Sequence, residues 1–469
     1  MERDMKLAEQ FAKKNDGPFL STFGLALLVG LIAGSLGAAF HYFLDQALAV
    51  HTAIAANFAD QVAAQVAIAA LFGAAMAGVA FMLVRVVAPE AAGSGIQEIE
   101  GAMAGLRPVR AIRVLLVKFI GGILGIGAGL VLGREGPTVH MGGCIGKMVG
   151  ESAKASPGTM NTLLAAGAAA GLSAAFGAPF ASILFVMEEM RGRFNYSFVS
   201  IHAVAIASLT AKVMDDQVFG VGPLLPIQLK ISMAEIVLFP AEVFRFIPFF
   251  IGLGILIGLC GVAFNATLMA CLRYLDRFSM RTMSLITITL GGISGALVLM
   301  APGCVGGGDK LVQAVFSDHH AELRVLLALF LVRGAMTFLS YGSGLPGGIF
   351  APMLAIGAIV GMGFGTVSHL VLPDLEMPAG AFALAAMAGL FAATVRAPLT
   401  GIVLVAELTA SFELLAPLVI TCVISSITAQ ALNCEPIYDS LLERTLRRQA
   451  KMEEAAQEES ELQHDAINA

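Results

Sequence analysis

Four short segments of this 469-residue chain carry residues whose types and spacing could handle an ion. They are Gly93-Ser94-Gly95-Ile96-Gln97-Glu98, Gly133-Arg134-Glu135-Gly136-Pro137, Gly347-Gly348-Ile349-Phe350-Ala351-Pro352 and Glu435-Pro436-Ile437-Tyr438. The first three set Gly and a helix-starting residue between apolar runs. Gly lets the backbone turn and approach a ligand, and Pro is tolerated in a helix's first turn. A helix start exposes unpaired N–H groups and a partial positive charge. Several such ends converging in an apolar medium would replace the hydration shell of a small anion. Close helix packing through small residues explains much of the Gly as well. It does not explain a glutamate inside one of these turns.

That glutamate is Glu135. A carboxylate at membrane depth is costly and marks a functional position. Burial favours its protonated form and a helix N-terminus its ionised form, which suits a group that gains and loses a proton in a cycle. Arg134 is a poor ion-pair partner, because adjacent helical side chains point about 100° apart. Glu188 and Glu189 for the same reason cannot share one helix face. Ser94-x-x-Gln97 reads as a capping box, with Gln97 bonding back to the Ser94 N–H. His140 follows the Glu135 turn by five residues and reads as a packed or water-bonded histidine. Asp318-His319-His320 reads as a solvated outer loop rather than a metal site. Ser94 as an enzyme nucleophile would need a facing His or Lys base, and no such pairing is evident.

The elements that position these residues must cross a membrane. Hydrophobic residues make up 57% of the chain and charged ones 13%, where a soluble protein carries about 25% charge. No Asp, Glu, Lys or Arg occurs from Gly17 to Leu44, Gln61 to Val84, Ala155 to Met187, Phe246 to Leu272, Thr282 to Gly308, Gly334 to Pro373 or Leu414 to Cys434. A spanning helix needs about 20 mostly apolar residues, so several of these stretches suffice. A soluble core would leave such helices without a polar face. Phe23 to Phe40 reads as a retained span rather than a removed signal. The net charge of −6 and the lack of a basic cluster give no sign of nucleic acid. Six scattered Cys, with no C-x-x-C pair, suggest neither disulfides nor zinc. Cofactors and metals are not expected.

Basic loops mark the cytoplasmic side. Arg107, Arg110 and Arg113, then Arg191 and Arg193, then Arg273, Arg277 and Arg281, and finally Arg444, Arg447, Arg448 and Lys451 form such clusters, and Lys6, Lys13 and Lys14 precede the first span. The segments 51–60, 215–226 and 372–380 hold no Lys or Arg and are placed outside. Both termini are then cytoplasmic. The expected organisation is an N-terminal segment 1–17, a membrane domain 18–442 and a polar tail 443–469.

The membrane domain repeats itself, with halves near 18–215 and 230–442. Lys118, Gly127, Gly129, Gly133, Pro137, Gly142 and Gly146 match Arg333, Gly342, Gly344, Gly348, Pro352, Gly357 and Gly361 at one offset of 215. Ala178-Pro179, Ile183, Val186 and Glu188 recur as Ala397-Pro398, Ile402, Val405 and Glu407 at offset 219. The first half begins inside, and its acidic pair Glu188-Glu189 sits just before the basic loop at Arg191. With both termini inside, an odd number of crossings per half makes the repeats inverted. Inverted repeats with Gly- and Pro-interrupted segments are the pattern of transporters with a midplane site.

These motifs in this order, G-S-G-I-x-E, G-R-E-G-P, G-x-F-x-P and the late Tyr, resemble the CLC chloride channel and transporter family from about Phe23 to Tyr438. The resemblance implies an all-α polytopic membrane fold of about 18 tilted and partly spanning helices in two inverted-topology repeats. It implies a homodimer with one pathway per subunit in the bilayer, in a bacterial inner membrane. It further implies that Ser94 and Tyr438 give hydroxyls to a central chloride, joined by the backbone N–H groups of Ile349 and Phe350. Glu135 is similar to the family's gating glutamate, and Glu189 to the inner proton-transfer glutamate of the exchangers. The expected function is chloride/proton antiport, the alternative an uncoupled chloride channel of the same fold, whose members lack an acid at the Glu189 position. Glu100 and Lys118 are expected to pair. Gln97 stands where relatives usually have Pro. Nitrate-preferring relatives tend to carry Pro at the Ser94 position, and the fluoride-exporting branch departs at this Ser and at the Tyr.

Overall fold

The structure, a computed structural model, describes residues 19–57, 61–225, 240–317, 322–372 and 377–468. The segment 1–17, Lys230 and the His319–His320 pair lie outside the described residues. Among the described residues the chain forms α-helices, three short 3-10 turns and no β-strand. Nine of the helices are long and apolar enough to cross a membrane.

The first half runs α1 (Phe19–Asn57), α2 (Val62–Val86), α3 (Ile96–Met103), α4 (Ala111–Gly127), α5 (Glu135–Ser152), α6 (Pro157–Phe176), α7 (Pro179–Glu188) and α8 (Phe198–Phe219). The second half repeats the order with α9 (Pro240–Leu275), α10 (Met280–Met300), α11 (Asp309–Ser317), α12 (Leu323–Gly342), α13 (Phe350–Val371), α14 (Ala379–Val395), α15 (Pro398–Thr409) and α16 (Leu415–Ala431). A last helix, α17 (Ile437–Asn468), has no first-half counterpart; it carries Tyr438 in its first turn and continues into the tail. Phe23 to Phe40 lies within α1, whose 39 residues extend about 58 Å, far more than a bilayer core. Helices α7 and α15, at 10 and 12 residues, are too short to cross.

Local sequence explains the starts and stops. Pro157, Pro179 and Pro398 begin α6, α7 and α15, where a missing N–H forfeits nothing. The Ser156 hydroxyl accepts from the Thr159 N–H at 3.3 Å and caps α6. Gly177 ends α6 in the left-handed region, with φ 63°.

The repeat-matched glycines are packing sites. A Cβ on Gly142 would overlap the Gly167 carbonyl, and one on Gly146 the Leu163 carbonyl, so α5 and α6 meet backbone to backbone. Their counterparts Gly357 and Gly361 bring α13 against Ala386 and Phe382 of α14 in the same way. Helices α6 and α14 are buried on nearly every side and form the core. Helices α1, α2, α9, α10 and α12 keep apolar flanks exposed, as lipid-facing helices do.

The halves meet through reciprocal contacts between equivalent residues, the signature of a two-fold relation. Gly133 N–H donates to the Gly348 carbonyl at 2.8 Å, and Gly348 N–H returns to the Gly133 carbonyl at 2.7 Å. The Glu188 carboxylate accepts from the N–H groups of Leu399 (3.0 Å) and Thr400 (2.7 Å), at the start of α15. Its counterpart Glu407 accepts from Phe180 (3.1 Å) and Ala181 (2.8 Å), at the start of α7. Helices α7 and α15 therefore run antiparallel, each ending in the carboxylate that caps the other. This is the inverted arrangement of two repeats. Glu188 is thus a helix cap rather than a solvated helix end.

Two predictions follow from these contacts. Gly142→Ala places a methyl against a carbonyl and should destabilise by about 1–3 kcal/mol, read as a lower Tm in detergent. Gly334→Ala meets nothing within 4 Å on a half-buried helix flank and should be neutral or stabilising. Equal melting temperatures for the two would show that Gly142 is not a close-packing site. Glu188→Ala and Glu407→Ala should each cost about 1–2 kcal/mol, as lost caps do. Their effects should add, because the caps lie at opposite ends of the α7–α15 pair. A loss confined to one variant would contradict the reciprocal arrangement.

Candidate functional site

Three of the four motif segments are joined by backbone before any side chain is considered. Besides the Gly133–Gly348 pair, Gly93 N–H donates to the Leu345 carbonyl at 3.2 Å, and Gly347 N–H to the Gly93 carbonyl at 3.0 Å. The segments that open α3, α5 and α13 are thus stitched together in the protein interior. The approach is tight. A Cβ on Gly136 would come within 2.7 Å of Ser94 Oγ and 3.0 Å of Gly348 Cα. Gly93 and Gly95, with φ 64° and 90°, turn the chain on either side of Ser94 in a region that L side chains avoid.

Glu135 opens α5 and reaches across to α13. Its Oε1 accepts from the Phe350 N–H at 2.8 Å and the Ala351 N–H at 3.1 Å. Those are the first two residues of α13, so the carboxylate sits on that helix's unpaired donors and positive end. Glu135 is fully buried, and its Oε2 has no hydrogen-bond partner among the described residues. Ile349 is the residue before the helix and is also fully buried. Ala351, whose N–H shares the Glu135 carboxylate with that of Phe350, is not among the residues expected from the sequence. Counting back from Pro352, at the third position of α13, would have found it.

The hydroxyls of Ser94 and Tyr438 are both buried and have no hydrogen-bond partner among the described residues. The Ser94 backbone is held from other directions. Its N–H donates to the Tyr341 hydroxyl at 3.4 Å, and Lys118 Nζ donates to the carbonyls of Gly93 (2.6 Å) and Ser94 (3.0 Å). Phe350 is clamped by aromatic rings, with Phe391 at 4.2 Å, Phe176 at 5.3 Å and Phe185 at 6.1 Å between centroids.

Glu189 caps the C-terminal end of α7, partly buried, with its N–H on the Phe185 carbonyl at 2.9 Å. The charges of Glu100, Asp439, Arg193 and Arg191 act on it. The basic loops of the sequence gather at this end of the molecule. Arg107 donates to Gln449 of α17 at 2.5 Å, Arg193 to Asp439 at 2.6 Å, and Arg444 and Arg448 to Asp276 at 2.6 and 3.0 Å.

Two sequence expectations are corrected. Glu100 does not pair with Lys118; it pairs with Arg193 at 2.9 Å, while Lys118 satisfies two backbone carbonyls. Gln97 does not bond back to the Ser94 N–H. Its Oε1 accepts from the Gly95 N–H at 3.2 Å, because Gly95 and not Ser94 precedes the first turn of α3. His140 is buried against Gly95, with Nδ1 unpartnered among the described residues. Packing therefore holds it, and no hydrogen bond to that nitrogen is seen. No group of three or more His, Cys, Asp or Glu among the described residues is placed to hold a metal.

The arrangement brings backbone N–H groups and two hydroxyls together in the buried interior, with one carboxylate on the N–H groups. Backbone N–H groups at a helix N-terminus are donors that suit a carboxylate oxygen or a small anion. The chain is 43% identical to the H(+)/Cl(-) exchange transporter ClcA of Vibrio parahaemolyticus, over 93% of this chain and 92% of that one. It is 42% identical to the ClcA of Yersinia pseudotuberculosis, over 95% and 91%. Among solved structures it resembles a slow cyanobacterial Cl-/H+ antiporter, with a TM-score of 0.85 and 36% identity over 93% of this chain and 100% of that one. The family model described as "Voltage gated chloride channel" matches residues 76–430. With three quarters of its length inside that model and its motif segments assembled as above, the chain belongs to the voltage gated chloride channel family, the CLC family of channels and transporters.

Proposed function

We propose that this protein exchanges chloride for protons across a membrane. The observation that carries the proposal is the Glu135 carboxylate on the Phe350 and Ala351 N–H groups. An anion-sized acceptor already occupies the N-terminus of α13, so a chloride ion and the ionised side chain compete for one place. Taking a carboxylate out of water costs several kcal/mol. Two charge-assisted N–H bonds return about 1.5–3 kcal/mol each. These terms nearly cancel, so a single proton decides whether the side chain stays. Protonation removes the charge that the N–H groups hold. The neutral carboxyl leaves, and chloride takes the donors.

Ser94 and Tyr438 supply the other donors. Their unpartnered hydroxyls suit a central chloride, with the backbone N–H groups of Ile349 and Phe350 on its far side. Glu189 delivers the proton from the side where Arg191 and Arg193 gather, which we read as the cytoplasmic side, with both termini there. The proton and chloride routes then diverge toward that side and share Glu135. The relatives at 42–43% identity are named as H(+)/Cl(-) exchangers, which supports exchange over the uncoupled channel. The acid at position 189 supports it too. We place the protein in a bacterial inner membrane as a homodimer with one pathway per subunit.

The test is reconstitution in liposomes with a chloride gradient and a pH electrode. The parent protein should drive protons uphill against the chloride flow. Glu135→Gln and Glu189→Gln should keep chloride flux and lose proton movement by about a hundredfold or more, the scale of removing a proton-transfer group. Chloride flux without proton movement in the parent would defeat exchange in favour of the channel.

A further inference from the structure

The two hydroxyls read as chloride ligands stand on different helices, and no hydrogen bond joins either of them to another group among the described residues. Ser94 lies two residues before α3, and Tyr438 in the first turn of α17. Their separation is set by whatever fixes α3 against α17. One side chain does so directly. Arg193 Nη1 donates to Glu100 Oε2 at 2.9 Å, and Arg193 Nη2 to Asp439 Oδ1 at 2.6 Å. Glu100 is six residues beyond Ser94 on α3; Asp439 adjoins Tyr438 on α17. The planar guanidinium offers two donors in a fixed fork, so it holds its partners at a defined spacing.

The loop that carries Arg193 is itself anchored. Asn161 Nδ2 donates to the Arg193 carbonyl at 3.0 Å and to the Met103 carbonyl, at the end of α3, at 3.3 Å. Arg107 makes a second tie between the same elements, with Glu98 of α3 at 2.9 Å and Gln449 of α17 at 2.5 Å. Glu100 is completely buried, and its Oε1 has no partner among the described residues, so Arg193 is its one ionic neighbour in hydrogen-bond contact.

We propose that Arg193 is a positioning residue for anion binding, tying the Ser94 helix to the Tyr438 helix and setting the gap between their hydroxyls. The proposal rests on the reading of Ser94 and Tyr438 as chloride ligands. A rival account is that Arg193 attracts chloride by its charge alone. The two differ in sign at Asp439. Removing that negative charge relieves repulsion of chloride if only the field matters, and weakens chloride if the tie matters.

The experiment is isothermal titration of chloride into the purified full-length protein in detergent, with thermal melts alongside. Asp439→Asn is isosteric at a half-exposed position and should fold as the parent does. It should raise the chloride Kd roughly three- to tenfold, as coupled contacts do when one is cut. Arg193→Gln should do the same, and the double variant should be no worse than Arg193→Gln. Tighter or unchanged chloride binding in Asp439→Asn overturns the proposal, and so does a fall in Tm with no change in Kd. Ser94→Ala and Tyr438→Phe separate the two levels of failure. If chloride binding ignores both, the ligand reading fails and the positioning role with it. If it depends on them while Asp439→Asn leaves it intact, the positioning role alone fails.

Discussion

A carboxylate seated on the N-terminus of a helix from the other half of the molecule is the contact on which this structure turns. Glu135 on α13 is one instance, Glu188 on α15 a second and Glu407 on α7 a third. Each places a negative charge where a helix presents unpaired N–H groups and its positive end. In hydrocarbon no water can satisfy those donors, so a helix that starts inside the bilayer needs such a partner. Half-spanning helices exist in this fold because the opposite repeat supplies their caps.

The rest of the interior follows from keeping these starts dry and close. Gly133, Gly136 and Gly348 let the chains carrying Glu135 and α13 approach to hydrogen-bond distance, where any side chain would collide. The loops behind them turn carbonyls outward, and buried cations collect those carbonyls. Lys118 holds the carbonyls of Gly93 and Ser94 in the first half. Its counterpart Arg333 donates to the carbonyls of Gly303, Val305, Gly306 and Gly307 in the second. In each half one buried cation thus satisfies the backbone carbonyls of a neighbouring loop. The offset of 215 between Lys118 and Arg333 thus records a shared electrostatic task, not only common descent.

Much of this was legible in the residues. Charge-free stretches, Gly–Pro helix starts and the constant repeat offset mark the spans, the interruptions and the two halves. The burial of Glu135 follows from a lone carboxylate amid apolar sequence. The partners of long side chains were not legible, because they depend on which elements meet in space. Glu100 and Lys118 lie close in sequence, yet each finds a different partner. Arg193 comes 93 residues after Glu100 and 246 before Asp439, and nothing in either spacing announces the contact. Gln97 shows the same limit on a small scale. The left-handed turn at Gly95 moves the helix start by one residue, and the cap moves with it. The reciprocal caps of Glu188 and Glu407 were half visible. Their match at one offset was plain, but only the antiparallel meeting of α7 and α15 explains why both must be acidic.

The three caps also differ in a way that separates scaffold from site. Glu188 and Glu407 are equivalent and answer one another. Each carboxylate accepts from two N–H groups of its partner helix, and Glu188 also accepts from the Thr400 hydroxyl at 2.8 Å. Releasing either one would expose two donors with nothing to replace it. Glu135 has no such answer, because its repeat equivalent is Phe350, an apolar side chain whose own N–H is one of the donors being capped. One of its oxygens is unpartnered, and the hydroxyls of Ser94 and Tyr438 are buried and unpartnered too. A cap that is symmetric and saturated is fixed. A cap that is unreciprocated and half satisfied can be exchanged for an ion of like charge. The broken symmetry at Glu135 is therefore a physical ground for placing the proposed transport chemistry there and not at the other two carboxylates.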